Sequence, residues 1–281
     1  MNFVQIFVLA VIQGIAELLP VSSSAHVITA EKLMGLDPSS PEMTLLLVML
    51  HTGTMFAVIV YFWSAWKKTY FASVATFKQA AVQLAIATAV TGMVGFGLTQ
   101  VIKHGFAADA STFEIEQLFS NTKLMAAALA SAGILIIASS RIRRQEGPLT
   151  TRSAALVGAV QGLCLPFRGF SRSGATISTG LVCGIARSRV EEFSFALAVV
   201  LTPAVIVKEA IRLYHAKAAM SQVQAHEMMG LFMPSMLGMV LSFLAGLLAL
   251  RWLSRWLEGD RWHFFGAYCL VAAVFVLSLD V

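Results

Sequence analysis

Two short stretches gather polar and ionisable side chains inside apolar surroundings. "ELLPVSSSAH", residues 17–26, carries Glu17, Ser22, Ser23, Ser24 and His26. "RGFSRSGATIS", residues 168–178, carries Arg168, Ser171, Arg172, Ser173 and Thr176. In the second stretch Arg172 is bracketed by hydroxyl residues and followed by Gly174, where the chain turns apolar and a helix should resume. Helix-start N–H groups, small residues and a planar cation describe an oxyanion site. Phosphate or diphosphate is the fitting ligand, with Ser171, Ser173 and Thr176 beside it. The first stretch supplies reactive groups. A helix that starts at Ser22 or Ser23, after Pro20, sets both serines on the same face as His26. A hydroxyl beside an imidazole is a nucleophile-and-base pairing. Alternatively, the imidazole attacks phosphorus itself. Glu17 could hold a divalent cation or orient His26.

Plainer readings compete. Ser171 or Ser173 could simply cap a helix while Arg172 pairs with Glu17. A cap needs no arginine, however, and a buried ion pair is a poor source of stability. Ser24 reads as a cap. His51, in "LHTGTMF", reads as a hydrogen bond to a neighbouring helix, with contact to substrate as the lesser alternative. Glu42, Glu191 and Glu192 sit at helix starts, where the dipole favours carboxylates. Cys164, Cys183 and Cys269 are scattered through apolar sequence with no metal or disulfide spacing and read as packing residues.

The elements that position these groups belong to a membrane protein. The 281 residues are 58% hydrophobic and only 12% charged, about half the charge of a soluble domain. The net charge of +5 lies mainly in short inter-helix clusters, which suits orientation in a membrane and excludes nucleic acid as the partner. The N-terminal stretch lacks a basic n-region and an A-x-A site, so no removable signal peptide is expected. Long apolar runs lie near 43–63, 80–102, 122–140, 192–211, 229–250 and 262–279. Segments 3–35 and 154–186 are apolar but interrupted by Pro, Gly, Ser and charge. Each half is too short to span, and irregular backbone at membrane depth must be buried in protein or line a cavity. Each segment is therefore expected to be a re-entrant helical hairpin.

The interrupted segments resemble each other: "QGIAELLPVSSSAH" starts at Gln13 and "QGLCLPFRGFSRSGATIS" at Gln161. The fold expected is an all-α integral membrane protein forming a single polytopic domain, 1–281, built from two repeats of about 1–141 and 152–281. Each repeat is one hairpin plus three spans. Three is odd, so the repeats are inverted and the hairpins meet from opposite faces, as recurs in transporters. Lys67, Lys68, Lys78, Arg141, Arg143, Arg144, Arg152, Arg187, Arg189, Arg251, Arg255 and Arg261 fall on one side. Lys32, Lys103, Lys123, Arg212 and Lys217, with Asp109, Glu114 and Glu116, fall on the other. The positive-inside rule makes the first side cytoplasmic. Both termini and the first hairpin then face outward, which in a Gram-negative cell is the periplasmic side of the inner membrane.

At these residues the chain resembles the undecaprenyl-diphosphate phosphatases of the bacitracin-resistance type, over essentially its full length. "ELLPVSSSAH" stands against the family's E-F-L-P-V-S-S-T-G-H, and "GFSRSGATIS" fits its P-G-F-S-R-S-G-A-T-I. The resemblance implies hydrolysis of undecaprenyl diphosphate to undecaprenyl phosphate and phosphate, recycling the lipid carrier for cell-wall synthesis, with Mg²⁺ or Ca²⁺. It carries Glu17, Ser22, Ser23, His26, Ser171, Arg172 and Thr176 over as site residues. The family's second glutamate, four residues before Glu17, is here Gln13, an amide that can still offer a carbonyl oxygen to the cation. Phe167 and Arg168 intervene between Pro166 and Gly169, and Arg168 is either a second phosphate contact or an interfacial residue. The alternative function is a transporter or flippase of polyprenyl phosphates. Oligomeric state is not legible, and a homodimer stays open.

Overall fold

The computed structural model describes residues 1–37, 40–105, 121–142, 146–218 and 232–278, excluding the side chains of 41, 42, 105, 208, 209 and 212–218. Among the loop charges, Asp109, Glu114, Glu116, Arg143 and Arg144 lie outside the described residues, as do the side chains of Glu42, Arg212 and Lys217. The described chain is helical throughout: α1 (Phe3–Leu18), α2 (Ser23–Leu33), α3 (Pro41–Thr69), α4 (Val74–Gly105), α5 (Thr122–Ser140), α6 (Thr151–Cys164), α7 (Arg172–Val182), α8 (Arg187–Ala218), α9 (Phe232–Glu258) and α10 (Trp262–Ser278).

Five of these helices are long and apolar enough to cross a membrane: Met43–Thr69, Val74–His104, Thr122–Ser140, Arg187–Val207 and Phe232–Glu258. The sixth expected run is the 17-residue α10, apolar but shorter. At about 1.5 Å per residue it falls a little short of a ~30 Å hydrocarbon core. Large apolar side chains such as Phe96, Met93, Val271 and Val274 are exposed on the outer faces, as lipid contact would require.

Both interrupted segments fold as two short helices joined by a polar break. Asn2 opens α1 with a capping box to Gln5, and Thr150 opens α6 with one to Ser153. These boxes satisfy N–H groups that the first turn leaves without partners. The break after α1 passes through Leu19 and Pro20, whose carbonyls accept from the Ser173 hydroxyl at 3.2 Å and the Cys269 thiol at 3.2 Å. Irregular backbone is thus satisfied by side chains from α7 and α10 rather than left bare. Cys269 is buried and Cys164 packs in the interior, whereas Cys183 is exposed at the end of α7 and does not pack as expected.

Helix α1 runs against α9 and α6 runs against α4; α3 meets α8, and α5 lies along α10. The repeated Gln-Gly pair explains the first two packings. A Cβ on Gly14 would lie 2.6 Å from Ala245 Cβ and 2.7 Å from the Ser242 carbonyl; on Gly162 it would lie 2.8 Å from the Thr91 carbonyl. Only glycine permits either approach. Glu191 and Glu192 occupy the start of α8 but are buried, accepting from Ser254 at 2.5 Å and Thr69 at 3.0 Å. They tie helices together and do more than complement a dipole. One apolar cluster draws on residues from Ala16 to Val276 and so on both halves of the chain.

Candidate active site

The break between α1 and α2 meets the N-terminus of α7. Helix α1 stops at Leu18 before Pro20, and Ser22 takes φ 67° ahead of α2. A left-handed serine is uncommon outside sites where surrounding structure imposes it. It swings the backbone so that Ser23 faces back towards Glu17. On the other side, Gly169 has φ +100°, and a Cβ there would sit 2.3 Å from the Met125 carbonyl. That turn brings the Gly169 N–H to the Ser24 hydroxyl at 3.4 Å and launches α7, capped by Ser171 Oγ, which accepts from Gly174 N–H at 3.2 Å.

Glu17 is the hub. Its Oε1 accepts from Arg172 Nη2 at 2.8 Å, and its Oε2 accepts from Ser23 Oγ at 2.6 Å and from Gln13 Nε2 at 3.3 Å. His51 Nε2 stands 3.9 Å from the same oxygen. These groups open on a cavity of about 420 Å³ lined also by Ser22, Arg168, Ser171 and Ser173. Arg172 Nη1 is buried without a hydrogen-bond partner, so one arm of its fork holds Glu17 while the other has donors to spare. A bidentate guanidinium suits a phosphate oxygen there.

Most expected groups converge, and two do not. His26 leaves the cavity. Its Nδ1 lies 2.8 Å from the Ser22 carbonyl and its Nε2 lies 2.7 Å from the Tyr268 hydroxyl. A carbonyl only accepts, so Nδ1 carries the proton, and the neutral ring leaves Nε2 to accept from tyrosine. His26 lines a separate apolar groove with Ile12, Leu19, Trp252, Trp256 and Tyr268. The expected Ser–His pairing therefore does not form; Ser23 pairs with Glu17 instead. Residues three apart on a helix lie about 60° apart around its axis, enough here to turn one inward and the other to the far side of α1. Thr176 also lies outside the cavity: its hydroxyl is fully buried, donating to the Arg172 carbonyl at 2.8 Å and meeting Ser194 Oγ at 2.6 Å. It steadies the turn that carries Arg172. Ser173 lines the cavity while its hydroxyl is spent on Leu19.

His51 is the group that spacing undervalued. Its Nδ1 donates to the Leu47 carbonyl at 2.8 Å within its own helix, not to a neighbour. That fixes Nε2 as the nitrogen facing the cavity. The available signal was an ionisable residue inside a spanning run, a functional candidate by default.

Among the described residues, no three His, Cys, Asp or Glu side chains converge to cage a metal. Oxygen donors are present in Glu17 and Gln13, which line the cavity together. Mg²⁺ usually keeps several waters and uses one or two carboxylates plus substrate phosphates. The donor set fits such a cation.

The sequence matches the bacitracin resistance protein BacA family over residues 6–275. It is 65% identical over 280 residues to undecaprenyl-diphosphatase 2 of Acinetobacter baylyi, covering 99% of this chain and 98% of that protein. It is 34% identical over 286 residues to undecaprenyl-diphosphatase 2 of Burkholderia ambifaria and to undecaprenyl-diphosphatase 1 of Burkholderia pseudomallei, in each case covering 96% of this chain and 94% of the relative. With the match running nearly end to end, the chain belongs to the BacA family of bacitracin resistance proteins.

Proposed function

We propose that this membrane protein hydrolyses undecaprenyl diphosphate to undecaprenyl phosphate and inorganic phosphate, returning the lipid carrier to cell-wall synthesis. The observation that carries the reading is the Ser23–Glu17–Arg172 cluster, with contacts of 2.6 Å and 2.8 Å beside a cavity. Phosphoryl transfer asks the protein chiefly for positioning and electrostatics, and this cluster supplies both. Glu17 takes the Ser23 proton as Oγ attacks the terminal phosphorus. The Oγ–P bond forms, the bridging P–O bond breaks, and undecaprenyl phosphate leaves with its tail in the lipid. Water then attacks the phosphoserine, releasing phosphate and returning the proton to Ser23. Arg172 balances charge on the transferred phosphoryl group, and Arg168 and Ser22 contact the second phosphate. Glu17 and the Gln13 carbonyl would hold Mg²⁺ or Ca²⁺, which would neutralise phosphate charge when bound.

The setting follows from the halves of the chain. The α1–α9 and α6–α4 packings exchange with one another if the halves exchange, which supports inverted repeats with two re-entrant hairpins. The bias of loop arginines to one side supports a cavity that opens on the outer face of the bacterial inner membrane.

The test is phosphate release from undecaprenyl diphosphate by purified protein in detergent, with and without EDTA. We expect EDTA-sensitive release that Ser23→Ala abolishes. Lipid binding without release would replace the enzyme with a carrier of polyprenyl phosphates. A trapped phosphohistidine mapped to His26 would transfer the nucleophile's role to that residue, and one mapped to His51 would transfer it to the histidine that lines the cavity.

A further inference from the structure

A second carboxylate lines the same cavity. Glu31, on α2, is 1% exposed, and among the described residues neither of its oxygens has a hydrogen-bond partner. It is separated from Ser24 and Val27 by helical steps of seven and four, so the three share a face, and all three line the cavity with Glu17 and Arg172. The Arg168 guanidinium is close enough for its charge to act on Glu31, yet does not hydrogen-bond it. Arg168 also lines the cavity.

A buried carboxylate without a partner costs several kcal/mol unless a cation or donor meets it. Glu31 lies outside the two reactive stretches and plays no part in the mechanism above. The other carboxylate in the cavity is already engaged: Glu17 accepts from Arg172, Ser23 and Gln13. Every lone pair on Glu31 is open. Nearby groups also explain why a ligand would bring charge here. Arg168 and Arg172 line the cavity with chemistry that suits phosphate, but a diphosphate carries more negative charge than Arg172, which also offsets Glu17, can balance alone. A hard divalent cation bridging phosphate and a protein carboxylate is the usual remedy.

We propose that Glu31 is a direct ligand of a divalent cation bound with the diphosphate. This deepens the phosphatase reading and rests on it for the identity of the phosphate ligand. Glu31 and Arg168 line the same cavity as Glu17 and Arg172, so a cation held at Glu31 would meet a diphosphate whose other phosphate lies at Arg172.

The test is Mn²⁺ binding followed by electron paramagnetic resonance on the full-length protein in detergent, with methylenediphosphonate as a non-hydrolysable diphosphate. Wild type should bind Mn²⁺ more tightly with the diphosphonate than without it. Losing even an outer-shell partner of a metal costs roughly 10–100-fold in affinity, so Glu31→Gln should weaken binding at least about 10-fold. Glu31→Asp, which keeps the charge, should retain most of it. A monodisperse gel-filtration peak and an unchanged Arg172-dependent diphosphonate affinity in the absence of metal show that each variant is folded. Equal Mn²⁺ affinity in wild type and Glu31→Gln overturns the proposal, as does a Glu31→Asp variant as weak as Glu31→Gln. Phosphate release from undecaprenyl diphosphate is measured in parallel. Release with unaltered Mn²⁺ affinity in Glu31→Gln sinks the ligand assignment and keeps the enzyme; Mn²⁺ binding lost in Glu31→Gln without release from wild type does the reverse.

Discussion

Two recesses flank α1, each with a histidine at its wall. The cavity on one side gathers Glu17, Ser23, Arg172 and His51; the groove on the other gathers His26, Tyr268 and a bank of aromatic and aliphatic side chains. Ala16 touches both. The cavity holds a carboxylate, a guanidinium and hydroxyls within hydrogen-bond reach of one another. The groove offers a neutral imidazole whose two nitrogens are both satisfied. The difference teaches that proximity along a helix is not proximity in a site. Ser23 and His26 are near neighbours in sequence, yet they serve opposite faces of the same hairpin. His51, from a different helix, stands 3.9 Å from the carboxylate that was expected to orient His26.

That contrast can be broken by substitution. The largest effect is expected at Ser23→Ala, which should lower turnover by at least about 10³-fold, as nucleophile loss does elsewhere. A variant that keeps normal phosphate release removes the serine route. Next is Arg172→Lys. It keeps the charge but loses the fork, and about 10²-fold in kcat is expected, on the scale of losing an oxyanion donor; near-normal kcat would show that Arg172 does not clamp phosphate. The two histidines give the sharpest comparison. His51→Gln should cost roughly 10-fold in kcat/KM, below the typical range for a direct acid–base group, since it replaces the side chain that faces the cavity 3.9 Å from Glu17. His26→Gln should leave kcat within a few-fold; the reverse ranking, read from the same assay, would restore the Ser–His pairing. The smallest effect belongs to Tyr268→Phe. It removes one hydrogen bond to His26, worth about 1 kcal/mol, and should lower thermal stability slightly with turnover unchanged.

Much of the architecture was legible because it follows from local physics. An apolar composition, long apolar runs and two polar interruptions fix the all-helical character, and the breaks at Pro20 and Gly169 fall where the sequence places them. Five spans are at least as long as expected, and α10 fills its expected run through Ser278, the last described residue. The Arg172–Glu17 pair and the Ser171 cap form as the plainer reading had them, because charges at membrane depth must find each other; residue types and spacing had weighed against that reading.

The site was legible only in part. Thr176 has the right chemistry and stands one turn from Arg172, but its hydroxyl is spent inside α7 and on Ser194. Glu31 carries no motif and gave no signal, because an isolated acid in a helix looks like any solvated residue until its burial is known. Sequence by itself determined which residue types exist at depth, where helices break and that an anion would be held. Only the tertiary structure decided which faces meet. Those faces depend on the φ of Ser22, on the Gly14 and Gly162 contacts that set how closely helices approach, and on side chains from α7 and α10 that satisfy the first break. Such pairings are long-range: each joins residues far apart in the chain, and no local spacing encodes the rotation of one helix against another.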